Sequence, residues 1–458
     1  MKTLKRTFRS LSVRNFRLFA FGQLLSVTCT WMMVIAQDWL VLDLSGNSAT
    51  ALGTVTAMQF APVLLLTLYG GRLADRYDKR TILIVANLAL GSLALGLALW
   101  VRTGEVQLWH IWLFALADGA VKSIEAPTRI SFVSEMVGAE LLPNASAMSA
   151  AYFNAARVVG PAVAGVLIAH LDVATVITIN AVSYLATVLS VAAMRPGELY
   201  RAAVRPRAAK VADGLRYTVS RPDLMRPIIL TGVLGLVGFN FQLTLPLLAK
   251  AEFHTDSASF GLLSSSLAVG SLVAALVTTA RRGRPTALVV TGSALGFGVF
   301  EFLTGLAPGL PAACVLLAGT GFAMMYFTQA SNHRVQLGSD PEYRGRVMAL
   351  YTVIFQGTTP LGALLTGWTA GAWGVRWALY AGGLISVLGG LAALTTCPRS
   401  ALTATGQPVA QPAGAPAVPA ADGPDRPVVQ PAGAPAVPAV DRPAGPVAVA
   451  VPEGRPVR

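Results

Sequence analysis

The chain has 458 residues, 54% of them hydrophobic and 12% charged, about half the charged share of a soluble domain. That excludes an ordinary soluble globule and points to a membrane-spanning chain. The net charge of +13 is no sign of a nucleic-acid partner, because the basic residues gather at the ends of apolar stretches, on alternate connections.

A basic N-terminal segment, 1–15, carries Lys2, Lys5, Arg6, Arg9 and Arg14. Twelve apolar stretches follow, near 16–42, 49–71, 81–101, 107–128, 144–168, 173–194, 225–249, 258–280, 286–306, 310–331, 346–370 and 374–396. Each has about the 20 residues that cross a bilayer core. The first is too long, and too polar at Gln37 and Asp38, for a cleaved signal. Asp38, in the outer part of that span, is placed to take a proton or a cationic substrate, or else to reach headgroups at the interface.

Between spans 2 and 3 lies Gly70-Gly71-Arg72-Leu73-Ala74-Asp75-Arg76-Tyr77-Asp78-Lys79-Arg80, a charged loop between apolar flanks. Its paired glycines allow close backbone approach. Span 4 holds Asp118, Lys122, Glu125 and Arg129. On a helix these fall within a stripe of roughly 60°, with alternating signs that pair at i,i+4 or i,i+3. Two roles are open: a polar pathway for protons or substrate, or a static ladder. Span 5 holds Arg157, a candidate partner for Asp118 or Glu125. It continues into Gly160-Pro161-Ala162-Val163-Ala164-Gly165, where a proline kink and small residues suit a pivot.

A basic middle loop, 195–224, with three prolines, separates six spans (16–194) from six (225–397). In the second half, Glu301 is placed toward one end of span 9, within snorkelling reach of the interface. Residues 398–458 repeat Gln-Pro-Ala-Gly-Ala-Pro-Ala-Val-Pro-Ala and read as a disordered extension. Cys29, Cys314 and Cys397 form no disulfide framework or metal spacing. No nucleotide-binding loop or nucleophile elbow occurs, so neither an enzyme nor a cofactor is expected.

The loop pattern G-x-x-x-D-R-x-x-K-R resembles the signature of the major facilitator superfamily of transporters, and Gly160-Pro161 with Gly165 resembles the span 5 motif of its antiporters. With Asn154-Ala155-Ala156-Arg157 and Arg344-Gly345-Arg346-Val347-Met348-Ala349, the chain looks like the branch of enterobactin exporters and related multidrug proteins. The resemblance implies an all-α integral membrane fold of twelve transmembrane helices in two six-helix bundles. It also implies a cytoplasmic gate built from Gly71, Asp75, Arg76, Lys79 and Arg80. Asp75 would meet the start of helix 11 near Arg346, and Arg76 or Arg80 would pair with Glu125 or Glu135. Asp78 stands where the family more often has glycine, and the arginine usual before Gly119 is missing.

The expectation is a secondary active exporter in the inner (plasma) membrane, both termini cytoplasmic. It would exchange protons for a small organic molecule and act as a monomer in the lipid bilayer. Its proton or substrate pathway would run through Gln37, Asp38, Asp118, Lys122, Glu125 and Arg157. Polar groups such as Asn240, Gln242 and Gln356, with aromatics such as Trp31, Phe153, Phe239 and Phe241, would line the cavity. The alternatives are an importer or proton symporter of the same fold, and a non-transporting sensor or scaffold.

Overall fold

The structure is a computed structural model and describes residues 8–200, 211–279, 281 and 283–396. The expected disordered extension and Cys397 lie outside these residues. The first six membrane helices are α1 (Arg14–Ser45), α2 (Ala49–Arg76), α3 (Lys79–Thr103), then α4 and α5 within one run, Leu108–His170, and α6 (Val173–Ala192). The second set is α7 (Pro222–Glu252), α8 (Ser257–Thr279), α9 (Ala287–Gly305), α10 (Leu310–Gly338), α11 (Arg344–Trp373) and α12 (Val375–Thr395).

The run Leu108–His170 has 63 residues. At 1.5 Å per residue it would reach about 95 Å, some three bilayer cores. It is therefore two crossings, divided where Gly138 adopts φ 69° and ψ 177°. Only glycine adopts that backbone readily, and the Tyr200 ring lies against it. The sequence suggested a loop at 129–143; those residues are instead helical up to and after this single break.

Capping sets several helix starts. Ser48 caps α2, Asp172 caps α6 and Thr286 caps α9. Asp78, where the family pattern has glycine, caps α3: its carboxylate accepts from the Thr81 amide at 3.0 Å and hydroxyl at 2.9 Å. An N-cap of this kind is worth about 1 kcal/mol, which accounts for an acid at that position.

α1–α6 pack as one bundle and α7–α12 as the other; the bundles meet along α2 with α11 and α5 with α8. One end of the molecule, the basic end, carries Arg9, Arg14, Lys79 and Arg80 on one bundle and Arg221, Arg284 and Arg344 on the other. At the far end the bundles are drawn together by small residues. A Cβ on Gly53 would lie 2.6 Å from the Ala363 carbonyl oxygen, and one on Gly367 2.9 Å from that of Ala49. On the other seam, Cβ atoms on Gly165 and Gly261 would lie 2.5 and 2.4 Å from the carbonyl oxygens of Ser257 and Pro161. Ser257 and Ser265 of α8 donate to the carbonyls of Gly165 and Val158 on α5, at 3.0 and 2.8 Å. Lys250 pairs with Asp43 across the bundles and lies 4.5 Å over the Trp39 ring, which stacks on Phe260. Backbone-to-backbone packing of this kind substitutes for a hydrophobic drive that lipid does not supply.

Between the bundles the chain forms a short helix, Val211–Val219, here called the linker helix. Tyr217 on it stacks on Tyr343 at 4.5 Å and donates to Asp340 at 2.9 Å, so the start of α11 is held by the linker. The helical part of this segment and the start of α7 at Pro222 fall inside the stretch 195–224 that the sequence suggested was loop.

Candidate transport pathway

α4 brings its four charged side chains onto one stripe as two pairs. Lys122 Nζ is 2.7 Å from Asp118 Oδ2, and Arg129 Nε is 2.9 Å from Glu125 Oε1. Each pair is i,i+4 on the same helix, so the charges are neutralised locally, without help from another element. Asp118 has a second partner that sequence reading passed over: Gln59 of α2 donates to the same oxygen at 3.2 Å. α2 comes this near because a Cβ on Gly119 would be 2.1 Å from the Gln59 carbonyl oxygen. A lone Gln in an apolar span was the available signal.

Exposure divides the ladder. The Asp118 side chain is 5% exposed and that of Lys122 26% exposed, at bilayer depth. A charge there costs about 2.5–3.5 kcal/mol on insertion scales, and such groups face water-filled cavities. Asp118→Ala strands Lys122 and is expected to destabilise the protein by about 3–5 kcal/mol. Asp118→Asn with Lys122→Gln should recover most of it. Thermal unfolding in detergent reads the first effect, and transport by the stable double variant separates a static ladder from a pathway.

Arg157 does not join Asp118 or Glu125, because each already has a partner on its own helix. Its guanidinium lies 5.6 Å over the Trp31 ring of α1, and Trp31 packs edge-on to Phe153 at 6.0 Å. Gly160 lets the helices approach here; a Cβ on it would be 2.6 Å from that of Trp31. Pro161 follows within the same helix, beside the seam with α8.

Gln37 and Asp38 are buried near the far end of α1. Asp38 is 1% exposed, and neither carboxylate oxygen has a hydrogen-bond partner. Its chain neighbour Trp39 touches Phe260 of α8 across the bundle seam. Asn240 and Phe241 are buried in α7, Phe239 is half-buried and Gln356 is exposed. Glu301 does not snorkel; it is 2% exposed and packed inside the second bundle. Among the described residues no three His, Cys, Asp or Glu side chains converge as metal ligands.

The charged loop pairs differently from expectation. Glu135 is held by Lys79 and Glu125 by Arg129, rather than either by Arg76 or Arg80. Lys79 opens α3 and turns toward Glu135 near the end of α4. Arg80, about 100° further round, turns to α6 and donates to the Val191 and Ala192 carbonyls at 3.0 and 2.7 Å. A cation on the unsatisfied carbonyls of a helix end is favourable. Arg76 lies over Tyr77. The close approach is at Gly70, whose Cβ would meet the Ser123 carbonyl oxygen at 2.2 Å, while Gly71 faces open space. Asp75 is exposed and, among the described residues, makes no hydrogen bond or ion pair with the start of α11.

The family model described as transmembrane secretion effector matches residues 5–424. The chain belongs to this family, within the major facilitator superfamily. The chain is similar to the multidrug efflux pump Tap of Mycobacterium tuberculosis, 26% identical over 82% of this chain and 92% of that protein. The staphyloferrin A transporter of Staphylococcus aureus is 25% identical, over 75% and 87%. The enterobactin exporter EntS of Citrobacter koseri is 27% identical, over 77% and 84%. Among solved structures, a bacterial homologue of the human lysosomal transporter Spinster aligns with a TM-score of 0.67 at 14% identity, covering 84% of this chain and 96% of that one. The nucleoside transporter NupG aligns at 0.66 and 11%, covering 83% and 98%. These likenesses confirm the major facilitator fold. As a member of the transmembrane secretion effector family the chain is a membrane transporter.

Proposed function

We propose that this protein exports small amphipathic organic molecules across the plasma membrane in exchange for protons, by alternating access between its two bundles. The observation that carries the reading is Asp38, a buried acid without a protein partner in α1, one residue before Trp39, which reaches α8 across the seam between the bundles. An isolated acid at membrane depth is a group that function retains.

The basic end is cytoplasmic by the distribution of Lys and Arg, with both termini on that side. In this reading the glycine seams hold the far end together while cargo enters from the cytoplasmic side, and the contact between Asp75 and α11 forms in the opposite state. Cargo enters between the bundles, near Lys122, Arg157, Trp31 and Phe153. The rings give apolar surface and the cations and Gln59 give polar contact. Rocking then parts the glycine seams and brings Asp75 to the N-terminus of α11, where an anion is favoured. Asp38 picks up its proton from the outer side and releases it inside on the return. The enclosed path lies within one chain, so a monomer suffices. The names of two relatives, a multidrug efflux pump and an enterobactin exporter, support outward movement of an organic cargo.

Inverted membrane vesicles with ethidium as probe test this. A proton gradient, acid inside, should drive ethidium accumulation, and a protonophore should abolish it. Accumulation that survives the protonophore overturns proton exchange, and ethidium loss on energisation indicates symport.

A further inference from the structure

Glu301 stands apart from the pathway described above. It lies on α9, in the second bundle, and is 2% exposed, with Oε2 buried and without a hydrogen-bond partner. Two glycines on two other helices make its space. A Cβ on Gly238 of α7 would lie 3.1 Å from Oε2, and a Cβ on Gly382 of α12 would lie 2.7 Å from Oε1. The carboxyl is therefore inserted between α7 and α12.

Gly238 is also where α7 breaks. Regular helix ends at Val237, Asn240 takes φ −98° and ψ 32°, and helix resumes at Phe241. Phe239, within the break, packs edge-on to Phe297 at 5.2 Å, one turn before Glu301, and to Phe355 of α11 at 6.2 Å. Carboxyl, helix break and an interface helix are thus contiguous.

No counter-charge faces this carboxyl among the described residues. α7 has no charged residue between Arg226 and Lys250, and α12 none after Arg376. Lys250 is bound to Asp43. Arg376 is held by Glu252 at 2.6 Å and by the Gly305 carbonyl at 2.8 Å, and Tyr380 donates to that same carbonyl. On the flanking helices, Arg334 of α10 donates to Pro285, Tyr326 of α10 accepts from Arg281, and Tyr351 of α11 donates to Thr328.

We propose that Glu301 is a proton-binding site of the second bundle, loaded while α7 is bent at Gly238 and emptied to water when that hinge opens. The reason is steric and electrostatic together. The nest has space for a carboxylic acid but, among the described residues, no cation faces a carboxylate, and a displacement of α7 or α12 is the way to admit water to it. The site needs no transport activity and is in a different bundle from Asp38.

The test uses the full chain in lipid nanodiscs. Infrared difference spectra between acid and alkaline buffer are compared for Asp38→Asn and for Asp38→Asn with Glu301→Gln. A protonated-carboxyl band should persist in the first and be lost in the second, and Gly382→Ala should shift it in frequency. Spin labels at Ile229 on α7 and Leu388 on α12, both exposed, should report a pH-dependent change in distance that Glu301→Gln removes. A band unaffected by Glu301→Gln overturns the site, and distances independent of pH overturn the hinge. Neither outcome depends on which way cargo moves, so failure here is distinct from failure of the exporter reading.

Discussion

Asp38→Asn should abolish ethidium movement driven by a proton gradient, down to the level seen with the gradient collapsed. Downhill movement of ethidium should survive. The amide has nearly the shape of the carboxyl but cannot exchange a proton, and the carboxylate oxygens have no partner in the protein to lose. Stability should therefore shift by no more than about 1–3 kcal/mol, the range for one unsatisfied buried polar group. Uptake by inverted vesicles with and without an acid interior reads the effect. Gradient-driven uptake equal to that of the unaltered protein would remove Asp38 from the proton path. A variant that loses downhill movement as well would place the residue in cargo binding instead.

Gly165→Val should hold the far end open. The new Cβ would sit 2.5 Å from the Ser257 carbonyl oxygen and 3.2 Å from Gly261 Cα, both backbone atoms that cannot rotate aside. The strain of overpacking is about 1–3 kcal/mol, and it acts only in the state where the seam is shut. That corresponds to a roughly 5- to 150-fold shift toward the open seam, enough to stall a cycle that must pass through both states. Distances between spin labels on α5 and α8 should lengthen at the far end, with transport falling in step. Gly96→Ala on α3 is the control, because a Cβ there meets nothing and the residue lies in neither seam. Unchanged label distances in Gly165→Val would show that the seam yields and does not gate.

The twelve crossings were legible because lipid demands long apolar helices and leaves little else to encode. The alternation of basic loops and the pairing of six with six could be read from the same constraint. The i,i+4 pairs of α4 were legible as well, since both partners lie on one helix. Partners on different helices were not. Gln59, Lys79 and Lys250 find Asp118, Glu135 and Asp43 through helix approach and rotation, and those are set by glycines such as Gly119 that carry no charge signal. Arg157 illustrates the same limit: the acids suited to it were already taken, and it settled on Trp31. The acid in the charged loop that departs from the family pattern, Asp78, had a local explanation as a helix cap. Glu301 was misplaced because its depth depends on two glycines far away in the chain.

The single break at Gly138 has a consequence for how this chain can change over time. Most connections between helices absorb an added or deleted residue as slack. Here α4 and α5 are joined by helix on both sides of one glycine, and Lys79 and Tyr200 hold Glu135 just before it. One inserted residue between Gly138 and Arg157 would turn the rest of α5 by about 100°, taking Gly165 away from α8. Length variation between related chains should therefore collect in the linker between the bundles and in the connections of the far end, and be rare across the joint of α4 and α5.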